Sequence, residues 1–346
     1  MKYSTDQQYL LSTMEAIVQT PSPVGFSVRL NPLMSRLAEE LGEEMTFDKR
    51  DCGYLTLDGE DNSKTVLVSA HCDTLGMMVR SIQADGTLKF RVIGGLNLAT
   101  MDGETVTVHT RSGRDYTGLC LCRSHSTHVF SDATTKERTE DTMMILLDER
   151  VASRKDVEAL GIRNGDLISI DPRFQVTPNG YVKSRFIDDK GAVACCLTAI
   201  KYMKDHGLRP KYKTIFQFPY TEEVGTGGSY IPEEVDEMLA VDIGLIGPDC
   251  EASEYDVSIC AKDASQVYDY ELTGRLMEYA EKAGCNYAVD LFYRYGSDIG
   301  AARRAGHNFR GALIGMAIYG SHGMERTHTE SLENTVNLIL AYLFDI

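Results

Sequence analysis

Positive charge is in short supply along these 346 residues: 35 lysines and arginines stand against 51 aspartates and glutamates, a formal net charge of −16. With no basic surplus to neutralise phosphates, a nucleic-acid partner is not expected. Long hydrophobic runs are missing too. Every apolar stretch meets a charge well before membrane-spanning length, and Met1-Lys2-Tyr3-Ser4-Thr5-Asp6 has no apolar signal core behind it. The expected setting is therefore the cytoplasm, with no membrane partner. Internal repeats, low-complexity tracts and zinc-knuckle spacing are also absent. The nine cysteines are an odd count in core-like segments, with Cys120 and Cys122 alternating in a strand-like run and Cys195-Cys196 inside a helix. Reduced, buried structural thiols are the expectation.

What is present has the composition of a globular protein, 43% hydrophobic and 25% charged, in a chain longer than one compact core usually requires. Leu10, Met14, Ile17 and Val18 mark an amphipathic helix, and Leu30, Leu33, Met34, Leu37 and Leu41 a second that closes at Gly42. The run Thr65 to Ala70 lacks polar alternation and reads as a strand buried on both faces of a mostly parallel sheet. From about Asp85 to Pro178 the pattern changes to short alternating strands between turn signals such as Asp85-Gly86, Gly94-Gly95 and Asp102-Gly103. One helical stretch, Ser153 to Leu160, interrupts them and ends at Gly161.

The α/β rhythm then returns. Val193, Cys196, Leu197, Ile200 and Met203 form a helical stripe stopping at Gly207, and Thr214 to Phe218 and Leu239 to Asp242 read as strands. Leu332, Val336, Ile339, Leu340 and Leu343 form a closing helix. The fold class is α/β: a mostly parallel-sheet domain over residues 1–83 and 180–346, with a small inserted β-rich, barrel-like domain over 84–179. The polar stretch Ser124 to Asp141 reads as a mobile loop, either bordering a site or unstructured.

Hard ligands stand at the ends of these elements. His71-Cys72-Asp73 follows one predicted strand, Glu222-Glu223 another and Asp242 a third; Asp188-Asp189 opens a helix and His328 stands before the last one. In open α/β sheets ligands gather beyond the carboxyl ends of strands, so the shared location says more than the residue count. Imidazoles and carboxylates brought together in this way suit divalent metals. Two residues apart on an extended segment, Asp73 could hold the second nitrogen of His71. Adjacent carboxylates at Glu222-Glu223 repel unless a cation takes one; the other could serve as general base. Blander readings exist for each: Asp188 as helix N-cap, Asp242 as strand-end cap, and His328 as a surface histidine with His322 as competitor.

Val-Ser-Ala-His71-Cys-Asp73-Thr-Leu-Gly76, Phe-Ile-Asp188-Asp189-Lys-Gly191, Thr-Glu222-Glu223-Val-Gly225, Ala-Val-Asp242 and Arg-Thr-His328-Thr-Glu330 occur in the order and approximate separation of the tetrahedral aminopeptidases. This is the glutamyl-aminopeptidase family, metallopeptidase family forty-two, which the chain resembles over nearly its whole length. The resemblance implies one metal on His71, Asp188 and Asp242 and a second on Asp188, Glu223 and His328, with Asp188 bridging. It further implies Glu222 as general base and Asp73 orienting His71. Zinc or cobalt ions about 3.5–4 Å apart would share a hydroxide that attacks the scissile carbonyl. The expected activity is release of N-terminal amino acids from peptides. The expected assembly is a homo-oligomer, a tetrahedral dodecamer whose sites face an internal chamber. The rival activities are a di-metal deacylase of N-acyl amino acids and a catalytically inactive assembly protein. The chain departs from the family at Lys190, where arginine is common, and in the setting of His328; Gly296-Ser297-Asp298 resembles the family's Gly-Thr-Asp segment.

Overall fold

The computed structural model describes residues 3–233 and 235–345; Met1 and Lys2, where the reading of the amino terminus begins, lie outside them. Helices α1 (Gln7–Gln19) and α2 (Asn31–Glu40) open the chain, followed by β1 (Thr46–Phe47), β2 (Gly53–Leu57) and β3 (Asp61–Ser69). The insertion holds β4 (Gly76–Ile82), β5 (Leu88–Ile93), β6 (Glu104–His109), β7 (Asp115–Cys122), β8 (Met143–Leu147), α3 (Arg154–Ala159) and β9 (Leu167–Ile170). Strands β10 (Gln175–Val176) and β11 (Tyr181–Ser184) lead back to α4 (Ile187–Asp205). Then follow β12 (Tyr212–Phe218), β13 (Glu237–Val241), β14 (Gly244–Leu245), β15 (Val257–Lys262), α5 (Tyr270–Ala283), β16 (Tyr287–Leu291), α6 (Asp298–Arg304), β17 (Arg310–Ile318), β18 (Glu325–His328) and α7 (Thr329–Phe344).

The large sheet runs β1-β2-β12-β3-β13-β17-β15-β16, with β14 added beside β17. Its centre, β12-β3-β13-β17, is parallel throughout. Strand β3 shows why the unbroken apolar run is needed there. Val66 and Val68 enter the core shared with α1, α4 and α7, while Leu67 enters the smaller core on the opposite face with α6. All three are at most 4% exposed, so a polar side chain on either face would be desolvated without a partner.

The insertion closes as a six-stranded barrel, β4-β5-β8-β7-β6-β9, around Met77, Val79, Phe90, Val106, Val108, Ile145 and Ile168. Strand β4 belongs to the barrel sheet, although a boundary at residue 84 leaves it with the larger domain. The polar stretch 124–141 is a run of turns fastened to the barrel: Arg138 bonds Asp102 at 2.7 Å, and Ala133 is buried beneath it. None of the nine cysteines is joined in a disulfide, and only Cys250 is not buried. Among the described residues no helix is long and apolar enough to cross a membrane.

The two bodies meet at Arg185, 1% exposed, whose guanidinium donates to the Thr100 carbonyl at 2.6 Å and lies 3.4 Å from Glu104. A second junction stacks the ring of Phe26 on His109, with centroids 4.7 Å apart.

Candidate metal centre

The carboxyl ends of the four central parallel strands lie side by side, and each delivers side chains to the same place. His71 follows β3, Glu222 and Glu223 follow β12, Asp242 follows β13, and His322 sits on the turn after β17. Gly315 lets the last two strands come together: a Cβ there would collide with the Asp242 carbonyl oxygen. Asp188 and Asp189 come from the start of α4, where their backbone is not yet helical and the bond between them is cis.

Asp188 is the hub. One carboxylate oxygen lies 3.1 Å from His71 Nε2, and the other 3.6 Å from His322 Nε2; His322 Nε2 is also 3.6 Å from Glu223. Ligand atoms of His71, Asp188 and Glu223 all fall within 4.8 Å of one another, as do those of His71, Asp189 and Asp242. The structure thus brings together His71, Asp188, Glu222, Glu223 and Asp242.

It does not bring His328 there. Nε2 of that ring donates to the Asn179 carbonyl at 2.8 Å, and Nδ1 accepts the Glu330 N–H at 3.1 Å, capping α7. The ring is flanked edge-on by Tyr181 and Tyr255. With both nitrogens engaged it offers no lone pair to a cation. The competing histidine, His322, occupies the place expected of His328. Asp73 is also used differently from expectation. Its backbone carbonyl accepts from His71 Nδ1 at 3.0 Å, while its carboxylate stands 3.6 Å away and accepts the N–H groups of Glu222 and Glu223 at 3.1 and 3.0 Å. The carbonyl fixes the imidazole, and the carboxylate folds the glutamate turn.

Sequence reasoning named Asp189 beside Asp188 without giving it a role of its own, and it missed Glu325 and Tyr295. Asp189 accepts the His71 N–H at 3.0 Å and leaves its other oxygen buried without a partner. Glu325 accepts the N–H groups of Asp188 and His322. The Tyr295 hydroxyl stands beside Asp242 and donates to the Ile243 carbonyl. Asp298, matched loosely from sequence, accepts from Ser69 at 2.6 Å. Its neighbour in space is Gly227, where any Cβ would strike the Asp298 carboxylate. A signal for His322 was available: the apolar run Ala312 to Ile318 is another strand with a histidine shortly beyond its end.

So much buried carboxylate is electrostatically unbalanced. Burial, reinforced by neighbouring acids, pushes Glu222, Glu223 and Asp189 well above the ordinary carboxylate range, and Asp242 up to about 7. His71 is opposed by burial but carried well above its usual value by Asp188, Asp73, Asp189 and Glu222. The Lys190 ammonium is turned away to the Thr20 carbonyl at 2.7 Å. A nitrogen-and-oxygen donor set with surplus negative charge and an unpartnered carboxylate oxygen fits hard or borderline divalent cations.

Residues 52–338 match the family model described as M42 glutamyl aminopeptidase. The chain is 41% identical over 340 residues to "Putative aminopeptidase YhfE" of Bacillus subtilis, with 98% of each chain covered. It is 24% identical over 224 residues to "Glutamyl aminopeptidase" of Lactococcus lactis, covering 64% of this chain and 62% of that one. Among solved structures, the Pyrococcus horikoshii TET1 peptidase, described as assembling into a tetrahedron or a large octahedral shell, superposes with a TM-score of 0.85 at 24% identity. That match covers 97% of this chain and all of the other. On its fold, its motifs and these matches, the chain belongs to the glutamyl-aminopeptidase family of peptide hydrolases.

Proposed function

We propose that the protein is a two-metal aminopeptidase in which His71, Asp188 and Asp242 hold an inner divalent cation, and Asp188, Glu223 and His322 an outer one. The observation that carries this reading is the position of Asp188, with one oxygen turned to each histidine. When bound, a pair of cations such as zinc or cobalt polarises the scissile carbonyl and acidifies a water molecule.

The protein's own groups supply the rest. Glu222 lies 3.8 Å from His71 Nε2, and its side chain keeps 16% exposure, enough to meet a substrate. It is the group to take the proton from the water and hand it to the departing amine, and its raised proton affinity suits both halves of that transfer. Asp73 holds this glutamate by its backbone rather than by its side chain, leaving the carboxylate free. The neighbouring acids Glu222 and Asp298 suit a free α-ammonium group, which favours exopeptidase action over deacylation. Assembly into a hollow homo-oligomer, a tetrahedral dodecamer, is part of the same reading, supported by the described assemblies of TET1.

The test is hydrolysis of amino-acid p-nitroanilides against N-acetyl amino acids by zinc- or cobalt-loaded protein. Turnover of the free-amine substrates alone is expected. Turnover of the acetylated set alone would overturn the aminopeptidase reading in favour of a deacylase, and a chain that binds metal yet cleaves neither would leave an inert assembly protein.

A further inference from the structure

His322 is the most exposed of the histidine and carboxylate groups gathered at Asp188, with its side chain 37% exposed against 2% for His71, and it stands on a turn with φ of +62°. Such a ring should wander, yet it is held from three sides. The Gly95 carbonyl accepts from Nδ1 at 3.0 Å, which fixes Nε2 as the lone-pair nitrogen turned to Asp188 and Glu223. The Asn97 N–H donates to the His322 carbonyl at 3.1 Å. Glu325 accepts the His322 N–H with one oxygen, at 3.2 Å, and the Asp188 N–H with the other, at 3.1 Å.

The donors and acceptors come from different bodies. Gly95 and Asn97 belong to the barrel, in the loop after β5, whereas Glu325 opens β18 of the larger domain. The loop also presses on the neighbouring ligand: a Cβ at Gly94 would stand 3.2 Å from the Glu223 carbonyl oxygen. Glu325 itself is 2% exposed. A buried carboxylate is costly unless donors satisfy it, and the backbone donors it has found include, beside Ile187, those of the bridging aspartate and of the outer histidine. Capping a turn would need only one of these.

We propose that Glu325 and the barrel loop Gly94–Asn97 act as one clamp that sets His322 against Asp188, so that the outer metal position is complete only with the inserted barrel docked. Glu325 and Gly95 are positioning residues; neither is a ligand. This inference rests on the two-metal reading above and adds to it the groups that orient the outer ligand.

Calorimetric titration of metal-free protein with zinc tests it. Two ions per chain are expected for the wild type. In Glu325→Gln the amide has one oxygen for two N–H groups and turns its NH2 against the other. In Gly95→Ala the new methyl stands 2.8 Å from Nδ1 of His322 and displaces the ring. Each variant should keep the inner ion at wild-type affinity and bind the outer one about 10- to 100-fold more weakly. Melting of the metal-free forms is measured alongside. A lower melting temperature with both affinities unchanged, or loss of both ions together, overturns the clamp. Wild-type protein that takes up one ion or none fails the two-metal reading itself and takes the clamp with it, a failure seen before either variant is titrated.

Discussion

On the proposed mechanism two demands meet at Glu222: the carboxylate must be near the reacting atoms, and it must not be consumed as a ligand. The residue is held through its N–H, which donates to Asp73, and its side chain is left 3.8 Å from His71, an arrangement suited to both. Glu222→Gln keeps the shape and removes the proton carrier. On the proposed mechanism kcat should fall about 10²-fold or more while metal content stays the same. Equal loss of metal, measured by atomic emission, would show that the carboxylate is a ligand instead. Most of this centre was legible before the structure, because strand ends followed by acids or histidines advertise themselves by pattern. His322 was weighed but placed second, since Arg-Thr-His328 lies six positions later and imitates a familiar motif. Glu325 was invisible for a different reason: what it binds are backbone N–H groups, which leave no mark in the sequence of side chains.

Among the elements, α7 shows what His328 does. Its Nδ1 accepts the Glu330 N–H at the first turn, the role usually taken by serine or aspartate. His328→Ala should therefore leave the number of bound metals unchanged and cost about 1 kcal/mol of stability, read from the urea midpoint. Loss of a metal ion from that variant would restore the histidine to the ligand set. The helices and buried strands were readable from periodicity, as Gly42, Gly161 and Gly207 confirm by standing at positive φ just past the ends of α2, α3 and α4. The assignment of β4 to the barrel was not readable, because a strand's sequence shows which faces are buried but not against which neighbours.

The junction between Phe26 and strand β6 carries a pH dependence. Burial, aided by the nearby Arg29 charge and opposed by Asp115, holds His109 below its usual value. Its two nitrogens are engaged by Asp115 at 2.9 Å and Ser169 at 2.8 Å. An unfolded histidine takes up its proton near pH 6.5, before the folded one does. Below about 6.5 the unfolded state thus binds more protons, and stability falls as the pH falls until the folded value is passed. The slope is at most about 1.4 kcal/mol per pH unit. His109→Gln removes this contribution, so the stability difference between wild type and variant should shrink from pH 7.5 to 5.5. Urea midpoints by circular dichroism measure it, and a constant difference would refute the assignment.

For the molecule as a whole, a decisive contact is Arg185, the largest wholly buried polar side chain among the described residues and one of the bonds between the two bodies. Arg185→Ala strands the Thr100 carbonyl and removes a charge from Glu104, which keeps Arg173 at 2.8 Å. The expected cost is about 3 kcal/mol, towards the lower end for a broken buried pair because Glu104 retains that second partner. A single urea transition shifted to lower concentration is the predicted outcome, and an unchanged midpoint would show that Arg185 adds nothing to the union of the two bodies.

The order in which the chain supplies its ligands has a consequence for synthesis. His71 emerges early, the barrel is then spun out as an excursion, and Asp188, Asp242 and finally His322 follow far downstream. On the proposed ligand set, a nascent or truncated polypeptide that stops short of Asp242 has no complete cation cage, and one that stops short of His322 has half of the machinery. Hydrolytic power is thereby withheld from fragments, and a ribosome carrying a half-made copy carries no protease.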